Sequence, residues 1–369
     1  MNDVLDKFFA YPLRIFSLNA SLFAVFAAFG LIFFTPEFIT LHQFLFTQSF
    51  FAASFAAFLL TAMPVWCEVK SSLKPVATAL FSLLWLAVLA EVFFDAGEWV
   101  MSLWWLVFAC LNAFWMLKAR LSKHTSIALL LFGVFTLTLL DAILQKPNLI
   151  YAILHLYALG VVVIAFRISV TLGNEPLKED FIFLPNPVSK NITCFLLALL
   201  AFATAFETDP RVEGLLALSV SLASFSRLSE WLHKPFLTTH YTLILFLLYF
   251  ALALSYGAVG VMGLLQSGFF GASMHLLNIA VLLGVVLLVF NTASLRHTTN
   301  QRFCYTAFTR VSFGLLFAAG IWRFVVAQLA SNAAAYIHAP ALLVAVVFGY
   351  FIVKFAPIFA KEEFFNDED

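Results

Sequence analysis

The stretch from Gly268 to Ala293 reads GFFGASMHLLNIAVLLGVVLLVFNTA and contains no aspartate, glutamate, lysine or arginine. About 20 consecutive apolar residues are enough for an α-helix to cross the hydrocarbon core of a bilayer. The stretch therefore predicts a membrane-spanning helix. It carries a single histidine, His275, close to its N-terminal end.

The rest of the sequence has the same character. Of its 369 residues, 63% are hydrophobic and only 11% are charged, and the mean hydropathy is +1.00. Soluble domains carry about 25% charged residues, so lipid is the solvent that fits this composition. In lipid, the backbone N–H and C=O groups must be hydrogen-bonded within the protein, and an α-helix achieves this within one segment. The composition therefore predicts an all-α polytopic membrane protein. The formal net charge of zero gives no indication of a nucleic-acid partner.

Apolar stretches of spanning length recur along the whole chain. We predict about twelve transmembrane helices and treat residues 1–369 as a single transmembrane domain. The predicted spans are 13–34, 38–65, 75–95, 99–119, 124–145, 148–172, 190–208, 212–232, 236–257, 268–293, 306–330 and 336–358.

Basic residues predict the orientation, because loops rich in lysine and arginine stay in the cytoplasm. If both termini are cytoplasmic, all 20 lysines and arginines fall on that side except Lys146, Arg211 and Arg323. Arg323 lies within the eleventh span. The sequence thus predicts a multi-pass protein of the bacterial inner membrane with an even number of spans and both termini inside.

Three histidines occupy equivalent positions in the predicted spans. His42, His155 and His275 lie in spans two, six and ten, each seven or eight residues after the likely helix start. At 1.5 Å per residue, all three lie about 10–12 Å deep in the outer half of the membrane. The pattern predicts a pseudo-threefold arrangement of four-helix units, with repeats near 1–122, 123–235 and 236–360.

Histidine at this depth suggests a metal or cofactor site. A neutral imidazole is a good ligand for haem iron and for copper. We expect His42 and His275 to bind haem and His155 to bind copper or a second haem, with His240 the best candidate for an inner site. The alternative is that each histidine makes an ordinary hydrogen bond between helices.

Three charged residues, Glu91, Asp141 and Arg323, fall in the outer third of predicted spans. Charged side chains inside a membrane are rare and are usually paired. One interpretation is a structural ion pair. The other is that Arg323 neutralises the propionates of a haem.

Four segments, in order along nearly the whole chain, carry a family resemblance. The segments are His42 with residues 57–66 (AFLLTAMPVW), His155 through Arg167 to Asn174, Arg227 through Trp231 to His240, and His275 with residues 293–298. Together they resemble the NnrS family of bacterial membrane proteins.

The resemblance implies a twelve-span protein that contains haem and copper and is tied to denitrification and nitric oxide stress. Arg167, Asn174, His240 and Arg323 would then be polar groups that support the cofactor. The sequence departs from the family pattern at Thr40, Gln43, Phe44 and Thr292. These departures weaken the case for copper at the outer mouth.

The histidine pattern is also similar, in architecture, to the catalytic subunit of haem-copper oxidases. Span seven has no histidine pair here, which argues against a binuclear centre of that kind. The first functional hypothesis is a haem-binding membrane protein that senses, scavenges or turns over nitric oxide or a related nitrosative species. The alternative is a transporter of a small metabolite, haem or a metal, since weak repeats are common in transporters as well. A haem absorption band from purified protein discriminates between them.

Overall fold

The computed structural model describes residues 8–33, 36–69, 71–120, 124–177, 182–299, 305–329 and 332–361. Within these ranges the chain is helical and has no β-strand. The prediction of an all-α polytopic membrane protein is confirmed.

The helices follow one another with short links. In the first half they are α1 Pro12–Phe33, α2 Pro36–Phe44, α3 Phe51–Trp66, α4 Lys74–Phe94, α5 Gly97–Lys118, α6 Thr125–Leu144, α7 Pro147–Asn174 and α8 Pro187–Ala205. In the second half they are α9 Pro210–Leu228, α10 Lys234–Thr238, α11 His240–Leu264, α12 Phe270–Leu276, α13 Leu283–Thr299, α14 Ala307–Leu329 and α15 Ala333–Lys361.

The helix ends have local causes in the sequence. Asn186 caps α8 by accepting hydrogen bonds from the backbone of Val188 and Ser189, and Asp209 caps α9 through the N–H of Arg211. Asparagine and aspartate are favoured there because their side chains satisfy N–H groups that have no partner within the helix. Other helices end where one residue adopts the left-handed backbone conformation, as residues 95, 145 and 266 do.

Eleven helical segments among the described residues are long and apolar enough to cross a membrane. Large apolar side chains project outward from them, and Phe94 and Leu117 are each 79% exposed. Such exposure is expected where the solvent is lipid. The predicted eighth span forms α9, which does not reach the same apolarity because it carries serines and two arginines.

Helix α9 nevertheless runs beside α11 over most of its length. Near the start of α9, Gly214 lies against Gly260, where a Cβ on either glycine would meet a backbone oxygen of the other helix at 2.8–2.9 Å. Further along, the hydroxyl of Ser221 donates to the carbonyl of Ala253 at 2.6 Å. Small residues let membrane helices approach this closely. Since α11 is of spanning length, its antiparallel neighbour α9 supports the count of twelve.

The orientation of the chain is open to a direct experiment. With twelve spans and both termini in the cytoplasm, reporter fusions at Lys146 and at Asp369 should report opposite sides of the membrane. Alkaline phosphatase and a cytoplasmic fluorescent protein, fused at each position in parallel, provide the measurement. Reporters on the same side would contradict the span count or the orientation.

Two predicted helices are interrupted by π-helix, which the sequence did not indicate. The π-helices are π1, Leu45–Phe50, and π2, Leu277–Leu282, and each joins two α-helices into one span. Both begin two or three residues after a histidine, His42 or His275. The apolar pattern is the same in α- and π-helix, so composition alone does not separate them. The widened turn of a π-helix is often found at a functional site.

The chain forms two compact units. Unit 1 is Met1–Ile150, Phe290–Phe303 and Val344–Asp369, and unit 2 is Tyr151–Val289 and Cys304–Leu343. This division does not follow the predicted repeats. The pseudo-threefold arrangement of repeats 1–122, 123–235 and 236–360 stays a prediction.

In unit 1, α1 packs against α3 and π1, while α5 packs between α4 and α6. Gln48 of π1 is the polar centre of this core. Its side-chain oxygen accepts hydrogen bonds from the indole of Trp105 at 3.4 Å and from the hydroxyl of Thr138 at 3.5 Å. This part of the core therefore contains a small polar network that connects three elements.

In unit 2, α9 packs against α8 and α11, and π2 packs against α11 and α14. Close approach of α14 depends on Gly320, since a Cβ there would lie 3.0 Å from the Cβ of Ala280. On the other side, a Cβ at Gly284 would collide with Leu248 of α11. The segment that follows His275 is thus tightly enclosed on two sides.

Candidate functional site

His155 lies on α7 in the interior of unit 2, where its side chain is fully buried. Its Nδ1 is 3.1 Å from the hydroxyl of Tyr256 on α11, which is equally buried. Its Nε2 is enclosed as well and has no hydrogen-bond partner. Nearly all buried polar atoms in proteins are satisfied, so this nitrogen needs an explanation.

Metal ligation would satisfy that nitrogen. When Nδ1–H donates to the oxygen of Tyr256, Nε2 carries the lone pair that binds a metal. Ligating histidines usually donate their other N–H to an oxygen in this way, which fixes the ring and its tautomer. Tyr256 therefore has the position of a partner that orients His155.

His275 ends α12 in the same unit and also has a fixed ring. Its Nδ1 lies 2.8 Å from the backbone carbonyl of Gly271, one turn earlier in the helix. A carbonyl oxygen only accepts, so Nδ1 carries the hydrogen and Nε2 the lone pair. The ring of His275 is consequently in the tautomer that suits a ligand through Nε2.

A contact between α7 and α12 allows the depths of His155 and His275 in the membrane to be compared. The ring of Tyr151 packs edge-on against Phe270 at 5.4 Å between centroids, and its hydroxyl lies 3.6 Å from the Cβ position of Gly271. His155 and His275 each follow this contact by one helical turn. Since spans six and ten are predicted to run in the same direction, the contact supports a common depth for both.

His42 lies on α2 of unit 1 and is half-buried. Its Nδ1 is 3.0 Å from the backbone carbonyl of Ala27 on α1, so this ring too has Nδ1–H and an Nε2 lone pair. The same local arrangement therefore occurs at His42 and His275: a carbonyl that fixes the ring and a π-helix that begins shortly afterwards. The sequence likeness between spans two and ten extends to their structure.

Asn174, predicted to support a cofactor, ends α7 and has a clear structural role. Its amide donates to the carbonyls of Val170 at 2.7 Å and Phe183 at 3.1 Å, and its oxygen accepts from the N–H of Phe183 at 2.7 Å. A Cβ on the neighbouring Gly173 would collide with the ring of Phe183. Asn174 thus anchors the segment that leads into α8.

Replacing Asn174 with alanine should reduce stability and leave cofactor content unchanged. Two of its three hydrogen bonds hold Phe183, and the loss of a hydrogen bond costs about 0.5–1.5 kcal/mol. Thermal unfolding and cofactor content of the purified variant give the two measurements, with the exposed Asn191 on α8 replaced by alanine as the control. Loss of cofactor at unchanged stability would instead assign Asn174 to the cofactor site.

Three other residues of unit 2 that are predicted to support a cofactor differ from one another in their burial and contacts. His240 is exposed at the start of α11, and its Nε2 accepts a hydrogen bond from Arg310 at 2.9 Å, which occupies one of its two ring nitrogens. Arg323 is half-buried on α14, with its guanidinium 4.5 Å from the ring centre of Tyr336. Arg167 is half-buried on α7, three turns beyond His155.

The acidic residues of the outer third have partners within unit 1. The carboxyl of Glu91 accepts from the N–H of Gly97 at 3.1 Å and so caps α5. The side chain of Asp141 on α6 lies next to that of Glu98 on α5, so a proton held by one carboxyl can be shared with the other. Glu91 therefore has a local structural role, and Asp141 has a carboxyl neighbour within its own unit.

His338 offers a second imidazole nitrogen in unit 2 that has no partner. It lies on α15, is half-buried, and its Nε2 is enclosed without a hydrogen bond. His338 lies near the start of the predicted last span, 336–358. Among the described residues, no group of three or more histidine, cysteine, aspartate or glutamate side chains is placed to hold a metal ion.

Sequence reasoning missed Tyr256 and the two π-helices. Tyr256 is the hydroxyl partner of His155, but 101 residues separate the two in the chain. The available signal was a tyrosine amid the small and apolar residues of a span, where its hydroxyl needs a partner. The residue that this hydroxyl meets depends on how α7 packs against α11.

The comparisons agree with the family resemblance. The sequence pattern of the NnrS protein family matches residues 7–362, nearly the whole chain. Comparisons with curated proteins and with solved structures gave no significant match, so the architectural likeness to haem-copper oxidases stays a prediction. With its spanning helices and the family's histidine segments in order, the chain belongs to the NnrS family.

Proposed function

We propose that this NnrS-family membrane protein binds haem through His155 and acts in the bacterial response to nitric oxide. The observation that carries the proposal is the Nε2 of His155, which is fully buried and has no partner. A buried acceptor left in this state costs about 1–3 kcal/mol. A bound metal would remove that cost.

The other histidines support the same chemistry. His42 and His275 have their Nδ1 atoms fixed by backbone carbonyls, which selects the tautomer of an imidazole that ligates through Nε2. We assign all three as candidate ligands, with His42 and His275 for haem. His155 is a candidate for haem or copper. Haem needs only one or two axial imidazoles, and so it does not depend on a preformed group of three ligands.

The protein would supply ligation, orientation and a dry environment. A haem iron bound by an imidazole can offer an open coordination position at which nitric oxide binds. His155 would hold the iron, and Tyr256 would keep the imidazole in one tautomer and one orientation. Arg323, which lies on the ring of Tyr336, is the candidate cation for a propionate.

The test is the absorption spectrum of the full chain purified in detergent from cells supplied with haem precursor. We expect a haem band in stoichiometric amount that shifts when nitric oxide is added. Metal analysis of the same sample measures iron and copper separately. A preparation that is folded and monodisperse but binds no haem, before or after reconstitution with hemin, would refute the proposal.

A further inference from the structure

A second group of buried polar atoms lies in unit 2, away from His155, where α9 ends. Arg227, in the last turn of α9, is only 1% exposed. One nitrogen of its guanidinium, Nη2, donates to the hydroxyl of Tyr249 on α11 at 3.1 Å. Its Nη1 is enclosed and has no hydrogen-bond partner.

The neighbours of Arg227 add further donors. The indole N–H of Trp231 is fully buried and also lacks a partner. The hydroxyl of Tyr249 accepts from Arg227, and its own hydrogen remains available to donate. The Arg227 guanidinium lies 4.5 Å from the ring centre of Tyr249, and the ring of Trp231 lies 6.3 Å from that of Tyr249. Arg227 and Trp231, each with a donor that has no acceptor, therefore both lie close to Tyr249, which has a third donor.

The charge of this group is incompletely balanced. The closest carboxylate is that of Glu230, with Oε1 at 4.0 Å from Nε of Arg227, while Oε2 accepts from the N–H of Asn186 at 3.0 Å. A second cation, Lys190 on α8, lies 5.0 Å from the ring centre of Phe166, and Arg227 lies 5.9 Å from the same ring. Two positive charges thus lie near the same aromatic ring, and the carboxylate beside Arg227 already accepts another hydrogen bond.

We propose that Arg227, Trp231 and Tyr249 form a binding site for a phosphate group. A tetrahedral oxyanion offers several acceptor oxygens in different directions, which matches three donors on three side chains. Charge-assisted hydrogen bonds to arginine are among the strongest available to it, and Lys190 adds a second cation nearby. The site is independent of haem binding.

The position of the site leaves two sources for the phosphate. By the distribution of basic residues, the end of α9 faces the cytoplasm, where inorganic phosphate is present and anionic lipids attract lysine and arginine. The exposed faces of α8 and α9 beside it are apolar, with Phe195 63% and Leu222 71% exposed, as for helices in contact with acyl chains. A free phosphate and the headgroup of an anionic lipid present the same chemistry.

The experiment compares these sources with the full chain purified in neutral detergent. In the first measurement, inorganic phosphate is titrated into the protein and the heat of binding is recorded by calorimetry. The second measurement adds phosphatidylglycerol or phosphatidylcholine and determines retained lipid by native mass spectrometry. Saturable phosphate binding identifies a soluble ligand, and selective retention of phosphatidylglycerol identifies the lipid. No binding in either measurement would overturn the proposal.

Conservative variants test the donors themselves. Trp231→Phe and Tyr249→Phe keep the rings but remove one N–H or O–H, and each should weaken binding about threefold to tenfold. Arg227→Gln should weaken it about tenfold or more, provided that it folds. The control is Trp322→Phe, which removes an indole N–H that donates to the carbonyl of Ala335. Equal affinity in the Trp231, Tyr249 and Trp322 variants would contradict the site.

Discussion

Replacing His155 with alanine should lower the haem content of the purified protein. The substitution deletes the fully buried nitrogen that has no other partner, and the small methyl group cannot ligate iron. The ratio of haem absorbance to protein absorbance gives the measurement. Thermal unfolding in the same detergent shows whether the variant is folded, so that loss of haem can be separated from loss of structure.

Two further variants make this result specific. Tyr256→Phe retains the ligand but loses its oriented hydrogen bond, and loss of such a partner lowers metal affinity about tenfold or more. His233→Ala removes an exposed histidine whose ring packs on Phe236, and should leave haem content unchanged. Full haem content in the His155 variant, or equal loss in the variants of His155 and His233, would exclude His155 as a ligand.

Replacing Gly260 with valine should destabilise unit 2 strongly. A Cβ at this position would lie 2.7 Å from Leu218 Cγ and 2.8 Å from the carbonyl oxygen of Gly214, and a backbone oxygen cannot be moved by a change of rotamer. Overpacking of a close contact typically costs about 1–3 kcal/mol. We expect a lower thermal midpoint and a smaller monodisperse fraction in detergent.

The same chain offers a matched control. Gly314, on α14, has nothing within 4 Å of its Cβ position, so valine there should be tolerated. Gly260 follows Tyr256 by one helical turn, and displacement of α11 should therefore also lower haem affinity in the variant that still folds. If both glycine variants unfold at the same temperature, the close approach of α9 and α11 does not determine stability.

The sequence predicted the helices well because one physical requirement dominates in a bilayer. Every backbone group of a span must be bonded internally, so a long apolar run has to be helical. The predicted stretch 75–95 became Lys74–Phe94, and 99–119 became Gly97–Lys118. Polar links and caps such as Asn186 then set the ends.

The same reasoning was weaker where polar residues enter a span. Helix α9 lacks the apolarity of the other spans, yet Ser221 and Arg227 are accommodated by α11 through specific hydrogen bonds. Asn174 looked like a cofactor residue because it is polar and belongs to a family segment. Its amide also holds Phe183, a contact that no local pattern predicts, and the cofactor role stays a prediction.

The sequence by itself determined that this chain is helical and membrane-spanning, because hydropathy and helical spacing are local properties. Only the tertiary structure decided which side chains meet. It placed Tyr256 on Nδ1 of His155, put π-helix after His42 and His275, and gathered donors around Arg227. These depend on helix packing over long separations, where close contact and hydrogen-bond geometry select one arrangement among many with the same hydropathy.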